Sequence, residues 1–372
     1  MRKMIYADNA ATSKLDIEAF EAMKPYLLDE YGNASQPYFF GTDAKKAIKK
    51  ARSTIAECIG ALPEEIFFTS GGTESDNWAI KGSAFNDPFK RATITSQIEH
   101  HAILNSCASI ERLGYPVAYL PVDSAGIVSP ETLSQIISDE TRLVSIMFSN
   151  NEIGTIEPIS ALAGVAHDHG ALFHSDGVQA VGHVPINVAQ MKIDMLSASA
   201  HKFNGPKGIG FLYIKKGVQI GPFNNGGAQE FGMRAGTENV AAIVGMAVAL
   251  KNNVNEIAET RDHILSLENL LMDQLAGMDF IRNGAPDHIP GNISLSFKNA
   301  DGEAILHRMD LMKICISTGS ACDSVNTQIS HVIKAIHVPT EYATGTVRIS
   351  LGKYNTEQDV LDIATALRKI IG

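Results

Sequence analysis

Cysteine is scarce in this sequence: Cys58, Cys107, Cys315 and Cys322 are the only four in 372 residues. No two of them form a CxxC pair, which argues against a zinc ribbon or a thioredoxin-type motif. A long, thiol-poor chain is unlike a disulfide scaffold and points to a reducing compartment. The start, "MRKMIYADNAATS", has no apolar run of signal-peptide length. Nowhere does an apolar run approach the ~20 residues of a membrane span. A basic excess is missing too, since 31 Lys and Arg against 41 Asp and Glu leave a net charge of −10. General binders of nucleic acid or acidic membranes carry the opposite balance. Internal repeats and low-complexity tracts are also absent. These absences predict a cytoplasmic protein with no direct nucleic-acid or membrane partner.

What is present is a hydrophobic content of 45%, enough for a real core, and a length that suggests about two domains. From residue 65 to 215, short apolar runs alternate with helix-like stretches: "EIFFTS", "RATITS", "YPVAYLPV", "TRLVSIMFS", "ALFHSD", "IDMLSAS" and "GIGFLYIK". Strands spaced by helices predict an α/β fold with a mostly parallel sheet covered on both faces. The pattern turns helical from about 235 to 275. It then runs through "GNISLSF", "KICIST" and "TVRISLG" to a final helix, "TEQDVLDIATALRKII". The expected organisation is a large domain over 15–255. A smaller α+β domain would combine 1–14 with 256–372. Such sheets bind ligands at the carboxyl ends of their strands. "SGGTES", "SQIEHH", "SNNEIG", "SDGVQ" and "SASAHK" all fall there.

Each of these motifs has an ordinary reading as well as a chemical one. "TSGGTES" (69–75) can cradle a phosphate on the N–H groups opening a helix, or it can be a capped turn. It is not a P-loop, since no Lys follows in that pattern. Lys202, just past a strand, could form a Schiff base or lie in solvent, as Lys207 more naturally does. Asp176 could pair with a protonated pyridine nitrogen or simply cap a helix. Of Glu99, His100 and His101, one histidine could stack on an aromatic cofactor or both could cap a helix. No HExxH is present and adjacent side chains diverge, so no metal is expected. Together these groups describe a pyridoxal phosphate site.

At this point the chain resembles the cysteine desulfurases, class-V aminotransferase relatives among the pyridoxal-phosphate enzymes. The matching stretches run almost from end to end: "YADNAAT", "FTSGGTESDNWAIKG", "EHHAIL", "NNEIGT", "SDGVQAVG", "SAHKFNGPKGIG", "RAGTEN", "STGSACDS" and "VRISLG". The resemblance implies the aspartate-aminotransferase-like fold (fold type I). It implies Lys202 as Schiff-base lysine, Asp176 on the ring nitrogen, Gln179 on the ring hydroxyl and His100 against the ring face. Gly72, Thr73, Ser199 and His201 would hold the phosphate. Thr237 would reach the phosphate of a neighbouring subunit, which implies a homodimer. Arg348 would clamp the substrate carboxylate, with Asn33 and Asn151 orienting the substrate. Cys322 would be the nucleophile that takes sulfur from L-cysteine, leaving alanine. His100 would serve as its base, and the resulting persulfide would pass to an acceptor protein, a cluster scaffold or a tRNA thiolation enzyme.

Two places depart from the family pattern. Ala34 and Tyr38 stand where a Pro and a His are common, and "DSVNTQIS" follows Cys322. Asp323 would raise the pKa of the neighbouring thiol by its charge. The rival readings are a selenocysteine lyase, an aminotransferase, which has no use for a nucleophilic thiol, and a non-catalytic sulfur-relay scaffold.

Overall fold

The computed structural model describes residues 4–87, 89–319 and 329–372. In chain order the elements are β1 (Ile5–Tyr6), α1 (Ile17–Leu28), α2 (Phe39–Ile59), β2 (Ile66–Thr69), α3 (Gly72–Ala84), β3 (Ala92–Ser96), α4 (His101–Glu111) and β4 (Val117–Leu120). There follow α5 (Pro130–Ile136), β5 (Thr141–Ser145), α6 (Ile159–Asp168), β6 (Leu172–Asp176), β7 (Met195–Ser199), β8 (Gly210–Ile214), α7 (Val240–Asn255) and α8 (Ile257–Gln274). The chain ends with β9 (Phe280–Asn283), β10 (Asn292–Phe297), α9 (Gly302–Leu311), β11 (Ile314–Cys315), α10 (His331–Ala335), α11 (Thr340–Ala343), β12 (Thr346–Ser350) and α12 (Glu357–Ile371).

The main sheet has seven strands in the order β2-β8-β7-β6-β5-β3-β4. All run the same way except β8, which is antiparallel to both β2 and β7. Successive side chains of a strand face opposite sides, and both sides are covered. Val144, Leu196 and Phe211 pack into one apolar cluster with α2, α6 and α7. Their neighbours Leu143, Met195 and Leu212 pack into another with Trp78, Ile103 and Ile110 of α3 and α4. Burial on both faces is why these strands read as continuous apolar runs.

A second core lies around a three-stranded antiparallel sheet, β12-β10-β9, and a short parallel pair, β1 with β11. Ile5 and Ala7 belong to this core together with residues from Ile264 to Leu367. The N-terminal segment therefore packs with the C-terminal third of the chain. α12 opens with a reciprocal cap, Asp359 N–H to Thr356 Oγ1 and Thr356 N–H to Asp359 Oδ2, at 3.2 and 3.0 Å.

Candidate active site

The carboxyl ends of β2, β3, β5, β6 and β7 open toward one side of the main sheet, and the segments that follow them line a cavity of about 270 Å³. Lys202 enters from the tight turn after β7. Its Nζ donates to the carbonyls of Ala10 and Ala11, at 2.5 and 2.8 Å. Gln179 Nε2 donates to the Ala10 carbonyl as well, at 3.0 Å. The N-terminal segment thus forms one wall, although β1 belongs to the other core. Lys207 is exposed, as its turn position implied.

Asp176 is the last residue of β6 and is buried. Its Oδ1 accepts from Val178 N–H at 2.9 Å in a turn, and no helix lies between β6 and β7, so Asp176 caps no helix and lines the cavity instead. Burial raises its pKa, while His100 and Lys202 pull it down. His100 caps α4, its Nδ1 accepting from Ala102 N–H at 3.1 Å. Burial holds the ring below its usual pKa, with the nearby Asp176 opposing this. The cap assigns the proton of the neutral ring to Nε2. His101 lies outside the cavity and packs on His331, ring centroids 4.9 Å apart. Residue type left the two histidines equivalent, and the one that lines the cavity is His100, the residue the resemblance implied.

Gly72 and Thr73 open α3, where unpaired N–H groups and the helix dipole favour an anion. Gly71 precedes them at φ 151°, ψ −177°, a conformation open to glycine. A Cβ on Gly72 would stand 2.4 Å from Val178 Cγ2, so any side chain would push α3 off the loop after β6. Ser199 and His201 face the same space. His201 Nδ1 lies 3.1 Å from Thr12 Oγ1, and burial, then Lys202, lowers its pKa to about 4.

Arg348, on β12, brings a buried guanidinium from the second core. Its Nη1 donates to Asn151 O at 2.8 Å and its Nη2 pairs with Asp8 Oδ1 at 2.7 Å. Its Nε, although buried, has no hydrogen-bond partner among the described residues.

These residues fit pyridoxal phosphate. The glycine turn suits the phosphate, Asp176 suits a protonated ring nitrogen, Lys202 supplies the amine, and the unsatisfied Arg348 Nε suits a substrate carboxylate. Asn33 and Thr237 are not in the cavity wall. Asn33 Oδ1 accepts from Ser35 N–H at 2.9 Å within its own loop, and Thr237 is exposed. Cys322 and Asp323 lie outside the described residues.

The class-V aminotransferase family matches this chain over residues 5–363. The cysteine desulfurase IscS of Dictyoglomus turgidum is 46% identical, over 100% of this chain and 95% of its own length. The chain belongs to the class-V aminotransferases, among the cysteine desulfurases. Among solved structures, a "NifS-like protein" superposes on this desulfurase chain with a TM-score of 0.94 at 38% identity, covering 99% of both. "SspA in complex with cysteine" gives 0.85 at 36% identity, covering 95% of this chain and 100% of that one.

Four contributors to this desulfurase cavity were not among the sequence candidates: Asp8, the carbonyls of Ala10 and Ala11, and Asp76. Asp76 was within reach. On a helix, positions 72, 73 and 76 lie along one face, so the side chain one turn beyond the phosphate glycine points into the same space. The backbone carbonyls carried no sequence signal.

Proposed function

We propose that this protein is a cysteine desulfurase that uses pyridoxal phosphate to convert L-cysteine to L-alanine, passing the sulfur to Cys322. The observation that carries the reading is the convergence of Lys202, Asp176, His100 and Arg348 on one cavity from two separate cores. Bound there, pyridoxal phosphate supplies a covalent anchor for the substrate amine and an electron sink for the charge that develops at its Cα. Arg348 binds the substrate carboxylate through the edge that includes its unsatisfied Nε. Asn151 supports this placement, since its carbonyl holds the guanidinium. Lys202 Nζ would hold the cofactor before substrate binds and would then move the proton at the substrate Cα.

The Cys322 thiolate attacks the substrate sulfur. An S–S bond forms and the substrate Cβ–S bond breaks, its electron pair passing into the carbon skeleton, which leaves as alanine after protonation. Cys322 is left as a persulfide, and an acceptor thiol on a partner protein collects the outer sulfur. A free thiol is only a few per cent ionised at neutral pH, so it needs a base. His100 is the base in this reading: its neutral ring takes the thiol proton on Nδ1, the nitrogen that carries none, and gives up its cap on Ala102 N–H as it does so.

A homodimer completes this reading. Thr237 is exposed, away from its own cavity. Ile17, Phe20, Leu27, Leu28, Tyr31 and Phe39 present a run of exposed large apolar side chains from α1 to α2, a surface suited to a second copy.

The test is incubation of the purified protein with L-cysteine and a thiol reductant, with alanine and sulfide measured. Parent protein should absorb in the visible and release both products. Cys322→Ser should keep the absorbance and lose sulfide release, and sulfide release at the parent rate would remove Cys322 from the mechanism. Selenocysteine as competing substrate separates the desulfurase from a lyase for the C–Se bond.

A further inference from the structure

Asp76 is 1% exposed on α3, facing the cavity, and no step above uses it. A ligating atom of Asp76, one of Asp176 and one of His100 all lie within 4.8 Å of one another. Two buried carboxyls therefore stand side by side at the end of β6. An ionised carboxylate buried this deeply needs a paired charge or several donors. Asp76 Oδ1 has no hydrogen-bond partner among the described residues. Its nearest ring, His174, has Nε2 at 3.9 Å. That imidazole lies between two seryl hydroxyls, Ser145 at 2.8 Å and Ser197 at 2.9 Å, and burial keeps it neutral. Burial lowers its pKa to about 3.

The other groups facing Asp76 give it no cation either. Glu99, from the loop after β3, is a buried acid pushed up to about 8 by burial. His100, opening α4, is held neutral by burial. Among the described residues, the Lys and Arg cations lining this cavity are Lys202 after β7, whose charge acts on Asp176, and Arg348 on β12, which pairs with Asp8.

We propose that Asp76 is a positioning residue for Asp176: it remains a neutral carboxyl beside the partner of the ring nitrogen, so that the pair carries one negative charge and Asp176 holds it. Two carboxyls this close in a low-dielectric site cannot both ionise, and the one facing a cation keeps the charge. Burial and the adjacent Asp176 both push the Asp76 pKa well above the carboxylate range, in agreement with the geometry. A neutral carboxyl can donate as well as accept, which a carboxylate cannot. In this role Asp76 steadies the orientation of Asp176 without competing for the pyridine nitrogen. The inference rests on the pyridoxal-phosphate reading of the cavity.

The test compares parent holoenzyme with Asp76→Asn and Asp76→Ala. The parent-minus-Asn infrared difference spectrum at neutral pH should show the carbonyl band of a protonated carboxyl. The Asn variant, neutral and of the same shape, should bind pyridoxal phosphate within about twofold of the parent, while Ala should bind roughly tenfold more weakly. A difference spectrum with the bands of an ionised carboxylate would overturn the proposal. So would an Ala variant with parent-like cofactor affinity, or an Asn variant as weak as Ala. If Ala does not fold, the infrared difference and the Asn affinity decide alone. A parent protein that does not bind pyridoxal phosphate would instead sink the functional reading, and the same infrared difference on that protein would still report the protonation of Asp76.

Discussion

Arg348 Nη2 and Asp8 Oδ1 meet at 2.7 Å across 340 residues of sequence. The pair ties β12 to the segment that follows β1. Two and three residues further along that segment, the Ala10 and Ala11 carbonyls hold Lys202. One stretch of chain therefore positions both the guanidinium and the amine of the cavity.

Asp8→Ala should free one edge of the guanidinium and loosen its placement. The expected result is a KM for L-cysteine raised about tenfold, with kcat and the visible spectrum much less affected. Steady-state kinetics check this. A lowered KM would mean instead that Asp8 competes with the substrate for Arg348.

Gly72→Ala places a methyl group 2.4 Å from Val178 Cγ2 at the opening of α3. The helix start must shift, and with it the N–H groups that face the phosphate. Pyridoxal phosphate should bind at least about tenfold more weakly, read from cofactor titration. Parent-like affinity would take the phosphate away from this turn.

Glu157 is a buried acid outside the cavity wall. Oε2 accepts from Val128 N–H at 2.9 Å, and Oε1 has no hydrogen-bond partner among the described residues. Burial raises its pKa from 4.5 to about 8. A raised folded-state pKa contributes stability that is full below 4.5 and is lost as pH rises through about 8. Glu157→Gln does not titrate and escapes that loss. Its Tm should gain a few degrees on the parent between about pH 5 and about pH 8. Parallel Tm-versus-pH curves would refute the assignment.

His288 and Glu268 give the opposite pH signature on the second core. His288 Nε2 lies 2.8 Å from Glu268 Oε1, which also accepts from Arg282. The hydrogen bond to Glu268 raises the His288 pKa above 6.5, and that contribution is full below 6.5 and fades as pH rises through the folded value. Glu268 is lowered below 4.5, chiefly by its His288 hydrogen bond against the cost of burial, so its share fades only in acid. His288→Gln should therefore cost more Tm at about pH 6 than at about pH 9. An equal loss at both would show a packing effect alone.

Much of the main sheet was legible because burial on both faces turns central strands into plain apolar runs. "TRLVS" and "MLSAS" sit where the pattern put them. The direction of β8 was not legible, since "GFLYI" reads the same whichever way it pairs, and it runs antiparallel to both neighbours. α1 gives a weak signal for another reason. Pro25 lies inside it, and Ile17, Phe20, Leu27 and Leu28 are exposed, so no single apolar stripe marks its buried side.

The cavity divides in the same way. Side-chain chemistry at strand ends determined Lys202, Asp176, His100 and the glycine turn, because strand ends share one side of a parallel sheet. Tertiary structure alone decided that Asp8 completes Arg348, that alanine carbonyls hold Lys202, and that Asp76 stands against Asp176. These are contacts between segments distant in sequence. Residue type and spacing do not encode them. The packing of two cores against each other does.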